Sequence, residues 1–134
     1  MYELCKESEV KKVGIIGLMG LDLVLKYWAV RGDYAVINQG YAFGIKMGTE
    51  WIFWLVVSIV FVWLYRQKMW LILAGGVANV VSRIVWGGVV DYWNLFGLFS
   101  NNLADWMITI GLVVYGYEHF RTIRKLGVSE CQRF

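Results

Sequence analysis

Four long apolar stretches alternate with short polar connections along the chain, at residues 13–30, 45–65, 69–86 and 103–120. Each comes close to the roughly 20 residues that carry a helix across a bilayer. The pattern predicts four helical spans in a single domain covering residues 1–134. The connection after the first stretch is not plain loop. Tyr34 and Val36 begin a weak alternation, Asn38-Gln39-Gly40 reads as a turn, and Tyr41-Ala42-Phe43 as a second extended piece. A small hairpin at the membrane surface is expected there. The later connection carries Tyr92, Trp93, Phe96 and Phe99 and is expected to lie at the interface. The fold class is therefore all-α integral membrane: four transmembrane helices with a small extracytoplasmic β-hairpin, or cradle, between the first two.

Basic residues orient the spans. Lys6, Lys11 and Lys12 precede the first, Arg66 and Lys68 fill the turn between the second and third, and Arg121, Arg124, Lys125 and Arg133 follow the fourth. The two longer connections hold only Arg31 and Lys46. Both termini are expected in the cytoplasm, with the longer connections outside. Residues 1–12 are mostly polar and no A-x-A site follows the first span, so it is expected to remain in the mature protein.

Composition agrees with this picture. Hydrophobic residues make up 59% of 134 residues, more than one domain of this size can hide from water. There is no proline to interrupt the apolar runs. The net charge of +3 is too weak to imply nucleic acid. Cys5 and Cys131 lie near opposite termini and read as free thiols, and His119 stands alone, so neither a metal nor another cofactor is expected.

Ionisable groups inside spans are costly and point to function. The first stretch carries Asp22 and Lys26, the third Asn79, Ser82 and Arg83, and the fourth begins at Asn102 and Asp105, with Asp91 just before it. At 1.5 Å per residue, Arg83 lies about 21 Å along the third span, near the outer surface, where Asp91 and the start of the fourth span also fall. Asp22 sits deeper. Asn79 and Arg83, four apart, share a face, as do Asn102 and Asp105, three apart. Gly75 and Gly76 admit a close neighbour helix. A polar pocket opening outward is the economical reading.

Two carboxylates, Asp91 and Asp105, suit acid–base chemistry best. Held close, they share a proton: the charged one takes a proton from water, and the protonated one donates to a substrate carbonyl. A serine–lysine pair from Ser82 and Lys26 is weaker, because Asp22 is the more natural partner of Lys26. Plainer roles stand beside these: solvated aspartates at span ends, Asp22–Lys26 as a neutralised buried pair, Asn79 as an interhelical link and Arg83 reaching to the surface.

Five short blocks in order resemble the lipoprotein signal peptidase (signal peptidase II) family. They are Asp22 with Lys26; Asn38-Gln39-Gly40-Tyr41-Ala42-Phe43-Gly44; Gly75-Gly76 with Asn79 and Arg83; Gly88-Val89-Val90-Asp91-Tyr92; and Asn102-Leu103-Ala104-Asp105 with Gly111 beyond. The resemblance implies an aspartyl endopeptidase of the bacterial cytoplasmic (inner) membrane with an outward-facing site, working as a monomer amid membrane lipid. Its substrate would be a prolipoprotein carrying diacylglyceryl-cysteine, cut just before that cysteine. Asp91 and Asp105 would be the catalytic dyad, with Asp22, Lys26, Asn38, Gly40, Asn79, Arg83 and Asn102 binding substrate or supporting it. Two positions depart from the family pattern: Ser82 stands where an aspartate that would brace Arg83 is usual, and Asn101 where phenylalanine is usual. The alternatives are a non-catalytic relative that binds lipopeptides or membrane partners, and a small ion conductor. The apolar cytoplasmic halves of the third and fourth spans disfavour the conductor.

Overall fold

The computed structural model describes the backbone of residues 2–39, 50–95 and 99–131, and the side chains of 11–39, 52–94 and 100–124. Within it run four helices, α1 (Tyr2–Arg31), α2 (Glu50–Arg66), α3 (Trp70–Trp86) and α4 (Leu103–Cys131). Four three-residue strands lie between them: β1 (Val36–Asn38), β2 (Val89–Asp91), β3 (Trp93–Leu95) and β4 (Phe99–Asn101).

The apolar stretches coincide with helices, but α1 and α4 overrun theirs. With 30 and 29 residues they continue through the charged segments at either terminus, where no proline stops them. Lys11–Arg31 is long and apolar enough to cross a bilayer, whereas Ile52–Arg66 and Trp70–Trp86 are apolar but shorter.

α3 is the hub, packed against α1, α2 and α4. Its paired glycines divide the work. A Cβ on Gly75 would stand 2.6 Å from the Ala104 carbonyl oxygen of α4, and one on Gly76 would stand 2.9 Å from the Phe61 ring of α2. Both neighbours therefore approach the α3 backbone as only glycine permits. Gly87 ends α3 in the left-handed region (φ 73°), its N–H donating to the Arg83 carbonyl at 3.0 Å, and the chain turns into β2.

Among the described residues the partner of β1 comes from the connection after α3. β1 is antiparallel to β2, with Val36 opposite Asp91 and Asn38 opposite Val89. Residues 41–43, the expected return strand, and Gly40 lie outside the described residues. The later connection, expected to lie at the interface, supplies β2 and the antiparallel pair β3–β4. The alternation at Tyr34 and Val36 marks β1, but β2, β3 and β4 carry too little to announce themselves, and the partner of β1 is some fifty residues away.

Burial is inverted relative to a water-soluble domain. The largest fully buried side chains are Lys26, Val90, Asn102, Asp22 and Ser82, nearly all polar. Val13, Ile59, Ile84 and Val113 instead point outward. Apolar surface of this extent needs apolar surroundings.

Candidate active site

The polar core gathers at the start of α4. The first N–H groups of a helix have no partner inside it and must find one elsewhere. Here named side chains take all of them. Leu103 N donates to Tyr92 Oη (3.0 Å), Ala104 N to Asp22 Oδ1 (3.1 Å) and Asp105 N to Asn102 Oδ1 (3.1 Å). Asn102 N donates in return to Asp105 Oδ2 (3.3 Å). Asn102 and Asp105 thus form a reciprocal capping box, and Asp22 adds a carboxylate at the positive end of the helix dipole.

The same asparagine reaches the other carboxylate, since Asn102 Nδ2 donates to Asp91 Oδ1 at 2.7 Å. One carboxamide therefore connects β2 to the first turn of α4 and fixes Asp91 relative to Asp105. Asn102 is fully buried and Asp91 is 4% exposed.

From Asp105 a chain of partners runs inward. Asn79 Nδ2 donates to Asp105 Oδ1 (2.9 Å), and Lys26 Nζ donates to Asn79 Oδ1 (2.7 Å). Lys26 Nζ also sits 2.7 Å from Asp22 Oδ2, both side chains being fully buried. Tyr92 Oη donates to Asp22 Oδ1 at 2.9 Å and closes the circuit. Asp22 and Lys26 are thus a neutralised ion pair, as one of the plainer readings has it, yet they also carry the positioning of α4. A buried pair of this kind depends on its extra hydrogen bonds to offset desolvation, and it has them.

Ser82 belongs to the site in a way the sequence did not show. Its Oγ donates to the Gly88 carbonyl (3.0 Å) and accepts from Val90 N (3.0 Å). It pins β2, and Asp91 with it, to α3. This occupation rules it out as a nucleophile served by Lys26. It also changes the meaning of the departure at this position: the serine holds the strand bearing Asp91. Tyr92 was read as an interfacial aromatic, but its hydroxyl joins α1 to α4. Its neighbours in sequence are aromatic, and nothing local distinguishes it from them. Tyr92→Phe leaves Leu103 N without its partner and Asp22 Oδ1 with one donor fewer. It is expected to cost about 1–3 kcal/mol in unfolding and to lower kcat more than it raises KM.

Arg83 places its guanidinium over the Phe53 ring of α2, 5.4 Å from its centre. Asn38, on β1, hydrogen bonds to the Asp91 carboxyl. The sequence-predicted Asp22, Lys26, Asn38, Asn79, Asp91, Asn102 and Asp105 therefore come together, and Arg83 lies one helical turn beyond Asn79.

Asp91 sits on β2, between the helices. Burial pushes its carboxyl up from an ordinary 3.8 to about 6; the hydrogen bond from Asn102 opposes this, and the nearby Asp105 charge reinforces it. Burial likewise raises the Tyr92 hydroxyl, which stays protonated as the donor to Asp22. Among the described residues no cluster of His, Cys, Asp and Glu is arranged to hold a metal ion.

The architecture is shared with solved proteins. A bacterial membrane enzyme determined by the in meso method at 2.3 Å matches with a TM-score of 0.68 and 23% identity, over 84% of this chain and 88% of that one. A second, at 1.9 Å, matches with a TM-score of 0.65 over 81% and 91%. The shared fold is thus a small helical bundle with short strands between its helices. Residues 15–121 match the family described as Signal peptidase (SPase) II, and the chain belongs to that family of aspartic peptidases. The lipoprotein signal peptidase of Halalkalibacterium halodurans is 32% identical over 105 residues, covering 66% of this chain and 67% of that protein. That of Clostridioides difficile is 30% identical over 128 residues, covering 74% and 86%. That of Helicobacter pylori is 29% identical over 148 aligned positions, covering 90% and 93%.

Proposed function

We propose that Asp91 and Asp105 are the catalytic dyad of a lipoprotein signal peptidase that cuts diacylglyceryl-modified prolipoproteins just before the lipid-bearing cysteine. The observation that carries this is the Asn102 carboxamide, which donates to Asp91 Oδ1 at 2.7 Å and accepts from Asp105 N at 3.1 Å. It ties the segments that bear the two carboxylates together, and the Asp105 charge acts on the Asp91 carboxyl, which supports reading them as a pair.

Burial raises the Asp91 carboxyl to about 6, which suits it to the part of proton donor. Asp105, held by Asn79 and by its own helix terminus, takes a proton from the attacking water. Asp91 donates to the carbonyl oxygen as the tetrahedral intermediate forms. Collapse returns a proton to the departing cysteine amine and leaves the signal peptide as the free acid. Asp22, Lys26 and Asn79 hold this geometry. Asn38 and Arg83 face the substrate, with β1 as part of the cradle that clamps it, and Gly40 is assigned to substrate binding from its place in the sequence block alone.

All four helices cross the bacterial cytoplasmic membrane, residues 1–134 acting as one monomeric domain with both termini in the cytoplasm. The short α2 and α3 fit such a membrane because the strands, and not the helices, occupy its outer face. The diacylglycerol enters laterally from the lipid.

The test is cleavage of matched prolipoproteins with and without diacylglycerol by the purified protein in lipid bilayers. Only the lipidated form is expected to be cut, giving a product whose first residue is the modified cysteine. Because Asp91 is the proton donor, kcat/KM is expected to fall as pH rises beyond about 6. Equal cutting of the unmodified protein, or a rate that rises through this range, contradicts the proposal.

A further inference from the structure

The end of the bundle away from the aspartates holds a cavity of about 280 Å³, lined among others by Lys11, Ile15, Lys68, Trp70, Val114 and Glu118. It opens between α1, α3 and α4 where the turn from α2 enters α3. At 1.5 Å per residue it lies roughly 18 Å along α3 from Ser82, one leaflet away from the site. Its walls are apolar below and basic above. Lys11 and Lys68 line it, and Lys12 Nζ stands 5.8 Å over the Trp70 ring. Among the described residues the lining carries two ammonium groups, Lys11 and Lys68, and one carboxylate, that of Glu118. Trp70 also meets Tyr65 edge to face at 5.3 Å, an aromatic pair suited to headgroup depth.

Lys68 supplies a second, independent observation. Two residues past the end of α2, Lys68 stands in the left-handed region (φ 59°), its N–H donating to the Tyr65 carbonyl at 3.1 Å. Such a helix end favours glycine, and a lysine there is held at a conformational cost. The chain keeps a long cationic side chain where its backbone would be better served without one, and that side chain borders the cavity. Beyond the same turn a groove formed by Phe61, Val62, Tyr65, Arg66 and Leu73 continues the combination of apolar wall and basic rim.

We infer that this cavity binds an anionic phospholipid of the inner leaflet, its phosphate between Lys11 and Lys68 and the first part of an acyl chain along Ile15 and Val114. The inference rests on the reading that the helices span the membrane. A zwitterionic lipid of the same chain length fills the apolar part equally but gains less from the lysines.

Native mass spectrometry of the full chain, released from bilayers with equal phosphatidylglycerol and phosphatidylcholine, tests it. The parent is expected to retain phosphatidylglycerol in about 10-fold preference. Lys68→Gly is expected to lose most of that preference while melting at the same temperature or higher, because glycine suits the turn. Lys11→Gln combined with Lys68→Gly is expected to abolish it. Equal retention of the two lipids by the parent, or an unchanged preference in Lys68→Gly, overturns the anionic site alone. Retention of neither lipid overturns the spanning reading as well.

Discussion

Asp91→Asn is expected to be more stable than its parent above pH 6 and to lose roughly 10³-fold or more in cleavage rate, the scale of a lost acid–base group. Both effects follow from the same burial. The Asp91 carboxyl is 4% exposed and titrates at about 6 against an ordinary 3.8. A carboxyl with a folded value above its unfolded one favours folding while protonated. That contribution is complete below about 4 and is lost as pH rises through about 6, beyond which a buried charge weighs on the native state. Asparagine never ionises, and its side-chain oxygen still accepts from Asn102. The substitution should therefore raise stability by on the order of 2 kcal/mol at pH 8, with the difference shrinking below pH 4. Thermal unfolding across pH 4–8 reads it directly. A variant less stable than its parent at pH 8 would mean that Asp91 is held as a satisfied anion, and its role as proton donor would fail.

Lys26→Met is expected to be the most destabilising single change in the core. Lys26 Nζ serves Asp22 Oδ2 and Asn79 Oδ1, each at 2.7 Å, in a place without exposure. Methionine fills the volume but leaves Asp22 charged, buried and without its cation, a loss of about 3–5 kcal/mol. Asn79 also loses the donor that orients it toward Asp105, so activity should fall with stability. The double substitution Asp22→Asn with Lys26→Met removes the orphaned charge and is expected to recover more than half of the stability. It should not recover activity, because the Asn79 carbonyl still has no donor. A denaturation cycle over the four proteins measures the coupling. A single variant within 0.5 kcal/mol of the parent would show that the pair carries little.

Much of the site could be read before the fold because its parts are local. Asp22 with Lys26 and Asn102 with Asp105 sit at helical spacings, so each pair shares a face wherever the helix lies. Asn79 stands inside an otherwise apolar run, where its cost marks it. The functions that escaped are those defined by distant partners. Ser82 matters through Gly88 and Val90 in the next segment, and Tyr92 through Asp22 on a helix 70 residues earlier. The alternation from Tyr34 and Val36 points to an extended piece where β1 lies, but nothing local names its partner, β2, in the connection after α3. The overrun of α1 and α4 has another cause: hydropathy marks where a helix meets lipid, and says nothing about where its hydrogen bonding stops.

If the two carboxylates joined through Asn102 carry out the cut, neither can be spared. Single-turnover cleavage of a lipidated prolipoprotein by the parent, Asp91→Asn and Asp105→Asn, each in the same bilayers and each shown to be folded, tests it most directly. The account predicts a product beginning at the diacylglyceryl-cysteine from the parent and almost none from either variant. A folded parent that leaves the substrate whole, or a variant that cuts at the parental rate, would contradict it.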